Sequence, residues 1–207
     1  MPNPAPSTGA PGTGAVLGPR TAPPPAPGLD DLAIRVAGRG DLQGVHGLVN
    51  GAYRGEGARL GWTHEADLFY GERTDLGSLL KILADRAQAI LVAGGCDPAG
   101  CVQVADAGGA CGYLGMLTVD PERQAAGLGK RLLAAAEAHA VERFGARRME
   151  LTVLKQRPEL VAYYERRGYR ATGAETPFPL ADARFGMPTR RDLSFVTLAK
   201  ELGSRPS

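Results

Sequence analysis

The stretch Leu117-Thr118-Val119-Asp120-Pro121-Glu122-Arg123-Gln124-Ala125-Ala126-Gly127-Leu128-Gly129-Lys130 changes the rhythm of the chain. Before it, apolar runs are short and broken by glycine or proline. After it, apolar residues recur at helical spacing. Pro121 stops a strand at Val119, because proline cannot donate to a ladder. Gly127 and Gly129 then open an amphipathic helix over about residues 127–144, with Leu128, Leu132, Leu133, Ala136, Ala140 and Phe144 on one side. Ala125, Ala126, Gly127 and Gly129 are small and leave main-chain N–H groups uncovered at the positive end of the helix dipole. Such a helix start seats an anion, and a pyrophosphate fits it. Lys130 adds a nearby cation. On glycine spacing alone, a tight turn selected for close packing explains the segment equally well. Two other phosphate loops are excluded. A Walker loop needs Ser or Thr after its Gly-Lys, and Arg131 stands there; a Rossmann loop needs a third glycine where Leu132 stands.

Upstream of this segment, residues 32–36 alternate as a short strand, and Asp41 is placed to cap a helix running to about Tyr53. Leu42, Val45, Leu48, Val49 and Ala52 give that helix its apolar face. Residues 54–74 are rich in glycine and charge and contain Trp62, Glu65, Asp67, Phe69, Tyr70 and Glu72; so long a connection is often functional. A second helix fits residues 75–86, with Leu76, Leu79, Leu80 and Leu83 at helical spacing. Residues 89–93, 100–104 and 113–119 read as three strands joined by Gly or Pro turns, an antiparallel meander.

Downstream, Gly145 ends the long helix. A strand follows at residues 149–154. Pro158 begins a helix that Gly168 stops. Residues 169–174 and 193–198 complete the strands. The predicted order is β, α, α, β, β, β, α, β, α, β, β, with no internal repeat. This is one α/β (α+β) domain over residues 29–203, a mixed, mostly antiparallel central sheet flanked by helices. Residues 1–28 are a Pro/Ala/Gly-rich tail with almost nothing to bury, expected to stay disordered.

The whole chain narrows the function classes. With 207 residues and 43% hydrophobic content it has enough apolar material for a real core. A formal net charge of +2, with arginines scattered, gives no case for nucleic acid or an anionic membrane surface. No run approaches the ~20 apolar residues that span a bilayer. Cys96, Cys101 and Cys111 are odd in number and lack Cys-x-x-Cys spacing, and His46, His64 and His139 are isolated. No metal site is expected, and free thiols fit a reducing, cytoplasmic setting.

At two places the chain resembles the GNAT acetyltransferase superfamily. The first is Val119-Asp120-Pro121 followed by Gln124-Ala125-Ala126-Gly127-Leu128-Gly129, similar to the signature Q/R-x-x-G-x-G/A after a strand ending in V-x-P. The second is Tyr164-Glu165-Arg166-Arg167-Gly168-Tyr169, similar to a tyrosine followed by E-x-x-G-F/Y. Order, separation and the element pattern over residues 32–198 match as well. Ala125 and Ala126 depart from the commoner glycine and basic residue, and Arg157 stands where an asparagine is usual.

The resemblance implies an acetyl-CoA-dependent N-acyltransferase with the GNAT fold. Leu117, Thr118 and Val119 would receive the pantetheine arm on a splayed strand edge. Gln124, Ala125, Ala126, Gly127, Leu128, Gly129 and Lys130 would hold the diphosphate. An amine on a small molecule or peptide would attack the thioester directly, with Tyr164 as general acid. Tyr163 is adjacent but lies about 100° around the helix. The base is not named; Glu65, Asp67, Glu72 and Glu150 are candidates on the acceptor side. Arg184 and Phe185, in the loop over residues 178–191, are placed to close over a substrate. Two alternatives share the fold: an acetyl-CoA sensor without turnover, and an enzyme for a longer acyl group, its size limited by Met116, Tyr163 and Phe185. Many relatives pair, so a homodimer is also open.

Overall fold

A computed structural model describes residues 32–54, 65, 67–123, 127–180 and 187–203. The expectations for the tail, for Trp62, His64, Gln124, Ala125, Ala126, Arg184 and Phe185 lie outside these residues.

Seven strands form one sheet: β1 (Ile34–Val36), β3 (Gln88–Ala93), β4 (Gly100–Gly108), β5 (Cys111–Val119), β6 (Arg148–Leu154), β7 (Arg170–Pro177) and β9 (Ser194–Glu201). Their order across it is β1-β3-β4-β5-β6-β9-β7. Every neighbouring pair is antiparallel except β5 and β6. A parallel pair needs a crossover, and the long helix α3 (Leu128–Phe144) supplies it. Helices α1 (Leu42–Arg54) and α2 (Leu76–Ala84) cover the opposite face from α3, and α4 (Pro158–Glu165) packs with α3. Two short strands absent from the predicted order, β2 (Phe69–Tyr70) and β8 (Met187–Pro188), pair with each other outside the main sheet.

Local chemistry sets these boundaries. Asp75 caps α2: its carboxylate accepts from the Ser78 N–H at 2.9 Å and the Ser78 hydroxyl at 2.7 Å. Gly145 closes α3 in the left-handed region at φ 64°, with its N–H on the Val141 carbonyl and the Ala146 N–H on the Ala140 carbonyl. Pro158 opens α4. Asp41 acts differently from expectation. It closes a 3-10 turn ahead of α1, accepting from the Gly38 N–H at 2.8 Å and pairing with Arg35. The Arg35 guanidinium, then the Gly38 N–H, hold its carboxyl down at about 2.

The α1 face follows the sequence pattern: Leu42, Val45, Val49 and Ala52 are buried against β3 and β4, with Leu48 half-buried. In α2 only Leu79 is buried; Leu76 and Leu80 are exposed, because this short helix presses one narrow stripe onto α1 and β3.

The strand that matters most carries a bulge. Cys101 pairs with Thr118 but Gln103 pairs with Gly115, so Met116 and Leu117 together face Val102. Met116 sits at φ 53°, a strained value for a residue with a side chain. The extra residue switches the side-chain alternation. Leu114, Leu117 and Val119 all enter the core under α3, whereas Met116 enters the core under α1.

Candidate active site

β5 pairs with β6 only through Cys111, Gly112 and Tyr113. Beyond Tyr113 the two strands part, while β6 stays paired with β9 as far as Leu154. The bulge at Met116 turns β5 away at the point where the gap opens. A Tyr113 hydroxyl to Thr152 Oγ1 bond of 2.8 Å bridges the mouth of the gap. A cavity of about 390 Å³ occupies it, running from the α4 side of the sheet to the α1 side.

The α4 side is aliphatic and tyrosyl: Leu114, Leu117, Leu151, Leu160 and Tyr164. Pro158 starts α4 so that Tyr164, six residues on, is buried with its ring edge-on to Tyr163 at 5.2 Å and Tyr169 at 5.7 Å. Its hydroxyl makes no hydrogen bond to a described residue. Burial, then the neighbouring Tyr53, Tyr163 and Tyr113, push its pKa well above the ordinary phenol value, so it stays protonated through neutral pH. Tyr163 points elsewhere, under the Arg167 guanidinium at 3.4 Å.

The α1 side is aromatic and charged. Tyr53, Glu65, Phe69, Arg73, Phe178 and Phe195 line it. Tyr53, at the end of α1, donates from its hydroxyl to the Leu117 carbonyl at 3.3 Å. Loss of water around that hydroxyl pushes it up to about 12, against the pull of the Arg73 cation. Glu65 pairs with Arg54 at 3.5 Å, and Arg54 stacks over Phe69. Two connections far apart in the chain are zipped together here. Phe69 pairs with Pro188, the Thr189 N–H reaches the Leu68 carbonyl and the Thr189 hydroxyl the Asp67 carbonyl.

Of the residues singled out from sequence, the structure brings Glu65, Phe69, Met116, Leu117, Arg157 and Tyr164 onto the cavity wall. Asp67 and Glu72 are exposed away from it, Glu72 beside His46 at 3.7 Å, and Glu150 is tied to Arg148 at 2.6 Å. Thr118 is buried with its hydroxyl on the Met116 carbonyl, and the Val119 and Leu128 side chains lie in the core. These three can offer a ligand only main-chain groups. Gly127 holds φ 77° at the start of α3, where no side chain of the described residues caps the helix, and the Lys130 and Arg131 N–H groups turn back to its carbonyl. Gly129 is half-buried and Lys130 exposed on the first turn of α3. Arg157, buried at the cavity edge, is held by Glu159.

Sequence reasoning missed Asn50, Tyr53, Arg73 and Tyr113. Asn50 is the one with a signal: an amide in the middle of an otherwise amphipathic helix. It accepts from the Arg73 N–H at 2.6 Å and the Thr74 N–H at 3.2 Å and donates to the Thr74 carbonyl at 2.9 Å, fastening that segment to α1.

None of the three cysteines lines the cavity, and burial pushes Cys101 up to about 12. Among the described residues no group of three or more His, Cys, Asp or Glu could hold a metal, and no helix is long and apolar enough to cross a membrane.

Comparison with known proteins bears on this geometry. A Salmonella typhimurium protein solved with its cofactor acetyl-CoA superposes with TM-score 0.61 at 19% identity, over 86% of this chain and 97% of that one. A ribosomal-protein-alanine N-acetyltransferase from Brucella melitensis gives 0.62 at 19%, over 83% and 100%. A mutant spermidine N-acetyltransferase from Vibrio cholerae gives 0.60 at 17%, over 84% and 95%. At these identities the likeness is one of fold. No curated protein matches the chain. The model of the acetyltransferase (GNAT) family matches residues 60–169, more than half of the 207. That match takes in β5 with its bulge, the start of α3 and the α4 tyrosine, and the chain belongs to the GNAT acetyltransferase family.

Proposed function

We propose that the protein transfers an acetyl group from acetyl-CoA to an amine nitrogen, by direct attack with both substrates bound. The observation that carries this reading is the cavity through the β5–β6 gap, with Tyr164 on its wall. Past Tyr113, β5 turns one edge to a gap rather than to β6, and an amide-bearing chain can add to such an edge. The start of α3, with left-handed Gly127 and no cap from a described side chain, suits a diphosphate bound by main-chain N–H groups. The structural relative solved with acetyl-CoA favours the same cosubstrate.

Acetyl-CoA supplies the thioester carbonyl; the C–N bond forms as the C–S bond breaks and the sulfur leaves as thiolate. Tyr164, kept protonated by its burial, donates its phenol proton toward that sulfur. The thiolate's conjugate acid has a pKa of about 8.5, so a placed donor aids departure. Among the described residues Glu65 is the carboxylate on the cavity wall, and it takes the proton released by the attacking amine. A direct route is supported by the cysteines, none of which lines the cavity.

Calorimetry with coenzyme A and a thiol-release assay over an amine panel test this reading. Binding with turnover supports it. Binding without turnover of any amine, with acetyl-CoA or longer acyl-CoA, reassigns the chain as a sensor. No binding removes the proposal.

A further inference from the structure

The charges on the α1 side of the cavity do not cancel. Glu65 is matched by Arg54 at 3.5 Å, and both side chains are largely buried. At the opposite edge Arg157 is matched by Glu159. Arg73 also lines the cavity, and among the described residues its guanidinium has no carboxylate partner. Its contact is with a ring: the guanidinium lies 5.4 Å from the Tyr53 centroid. Asn50 clamps the Arg73 main chain to α1, so the cation has a fixed base. Tyr53 in turn reaches the Leu117 carbonyl. One phenol therefore separates the cation from the strand segment expected to take the pantetheine arm.

We infer that Arg73 is a recognition group for an anion on the acceptor, and that the acceptor is an amino acid, a small molecule carrying its amine and a carboxylate together. The inference rests on the proposed acetyl transfer. Guanidinium groups pair with carboxylates through parallel N–H donors, and the interaction strengthens where water is excluded. A polyamine brings only positive charge and meets Arg73 as a like charge. The remaining wall is apolar, with Phe69, Phe178 and Phe195 in ring contact at 5.0 and 5.4 Å. That surface suits an apolar side chain, so amino acids such as phenylalanine, leucine and methionine fit best.

The test uses matched pairs that differ by one carboxylate: phenylalanine with 2-phenylethylamine, leucine with isoamylamine, and methionine with 3-(methylthio)propylamine, plus spermidine. Thiol release gives kcat/KM for each, and calorimetry gives binding with and without coenzyme A. The expected result is an acid preferred over its own amine by about tenfold to a hundredfold in at least one pair, the range of a charge-assisted hydrogen bond. In Arg73→Gln the ratio falls toward one and spermidine improves, while Arg73→Lys retains part of the preference. Coenzyme A affinity, measured separately, is the same in all three proteins. Parity or preference for the amine in every pair overturns the inference. So does binding of neither member of any pair, or a preference that survives Arg73→Gln. Failure of coenzyme A to bind removes the proposed acetyl transfer instead, and the calorimetric comparison without coenzyme still decides the role of Arg73.

Discussion

The two walls of the cavity are made from different material. On the α4 side the working groups are main chain and one buried phenol: the edge of β5 past Tyr113, the start of α3 at Gly127, and Tyr164. On the α1 side they are side chains from dispersed places: Asn50 and Tyr53 on α1, Glu65 and Arg73 in the connection to α2, and Phe178 beyond β7. Main-chain recognition does not depend on which side chains are present, so it persists as the sequence around it changes. Side-chain recognition can be altered one residue at a time, so a common cosubstrate and a particular acceptor can be handled in one cavity. Each wall should therefore be open to damage without the other.

The largest effect is expected at Gly127. Its φ of 77° is left-handed, and a Cβ there meets none of the described residues within 4 Å, so the cost of a side chain is conformational. A β-branched residue at such a position costs on the order of 1–3 kcal/mol locally. Gly127→Val should move the main-chain N–H groups of the first α3 turn and weaken coenzyme A binding by more than about a hundredfold, with acceptor binding kept. Gly127→Asn, which tolerates this region, should bind nearly normally. Equal coenzyme affinity in the valine variant, read by calorimetry, would remove the helix start from the site. Next in size is Tyr164→Phe. Loss of a general acid lowers turnover by about 10²-fold or more, and the dissociation constant for coenzyme A should stay within about twofold. Wild-type kcat in that variant would take Tyr164 out of the mechanism.

The same contrast explains which features are legible in the amino-acid sequence. Contiguous stretches carry the α4 wall: Val119 to Gly129 and Tyr164 to Tyr169 show a strand end, a glycine-opened helix and a tyrosine in a fixed order. The helix faces and Gly145 are equally legible, since each depends on neighbours a few residues apart. The bulge at Met116 is not. Its register depends on β4, where Gln103 pairs with Gly115 and Cys101 with Thr118, and nothing in Gly115-Met116-Leu117 announces a positive φ. The β2–β8 pair joins segments more than a hundred residues apart, two residues long each, too short for any alternation to appear. Arg73 and Tyr53 look like a surface charge and a helix-end aromatic until the fold sets them side by side. Asp41 stands where a helix cap would, but the arginine six residues before it in the chain draws it into a turn.

A smaller effect should come from Asn50, which touches neither ligand in this reading. Asn50→Ala releases the Arg73 and Thr74 main chain from α1. Unpaired, partly buried groups of this kind cost about 1–3 kcal/mol, so the melting temperature should fall by several degrees. The acceptor KM should rise about tenfold as Arg73 loses its fixed base, while coenzyme affinity is unchanged. A rise in the coenzyme dissociation constant equal to that in KM would mean that the two walls are one mechanical unit.

Tyr53 belongs to both walls, and its replacement should have the smallest consequence. Tyr53→Phe keeps the ring beneath Arg73 and removes only the bond to the Leu117 carbonyl, whose 3.3 Å length places it at the weak end of about 0.5–1.5 kcal/mol. At neutral pH, turnover should drop by less than about threefold, with acceptor selectivity intact. Alkali gives the more telling comparison. The folded Tyr53 hydroxyl, at about 12, lies above its unfolded value near 10. Its contribution to stability is therefore present in full below pH 10 and is lost as pH rises from 10 through about 12. Phenylalanine has no proton to lose, so denaturant titrations between pH 9 and 11.5 should show a shallower decline for Tyr53→Phe. Tyr164, pushed upward in the same sense, still declines in that variant. Identical alkaline slopes for the two proteins would show that water reaches the Tyr53 hydroxyl. The partition between an aliphatic coenzyme wall and a charged acceptor wall would then be open at the residue that joins them.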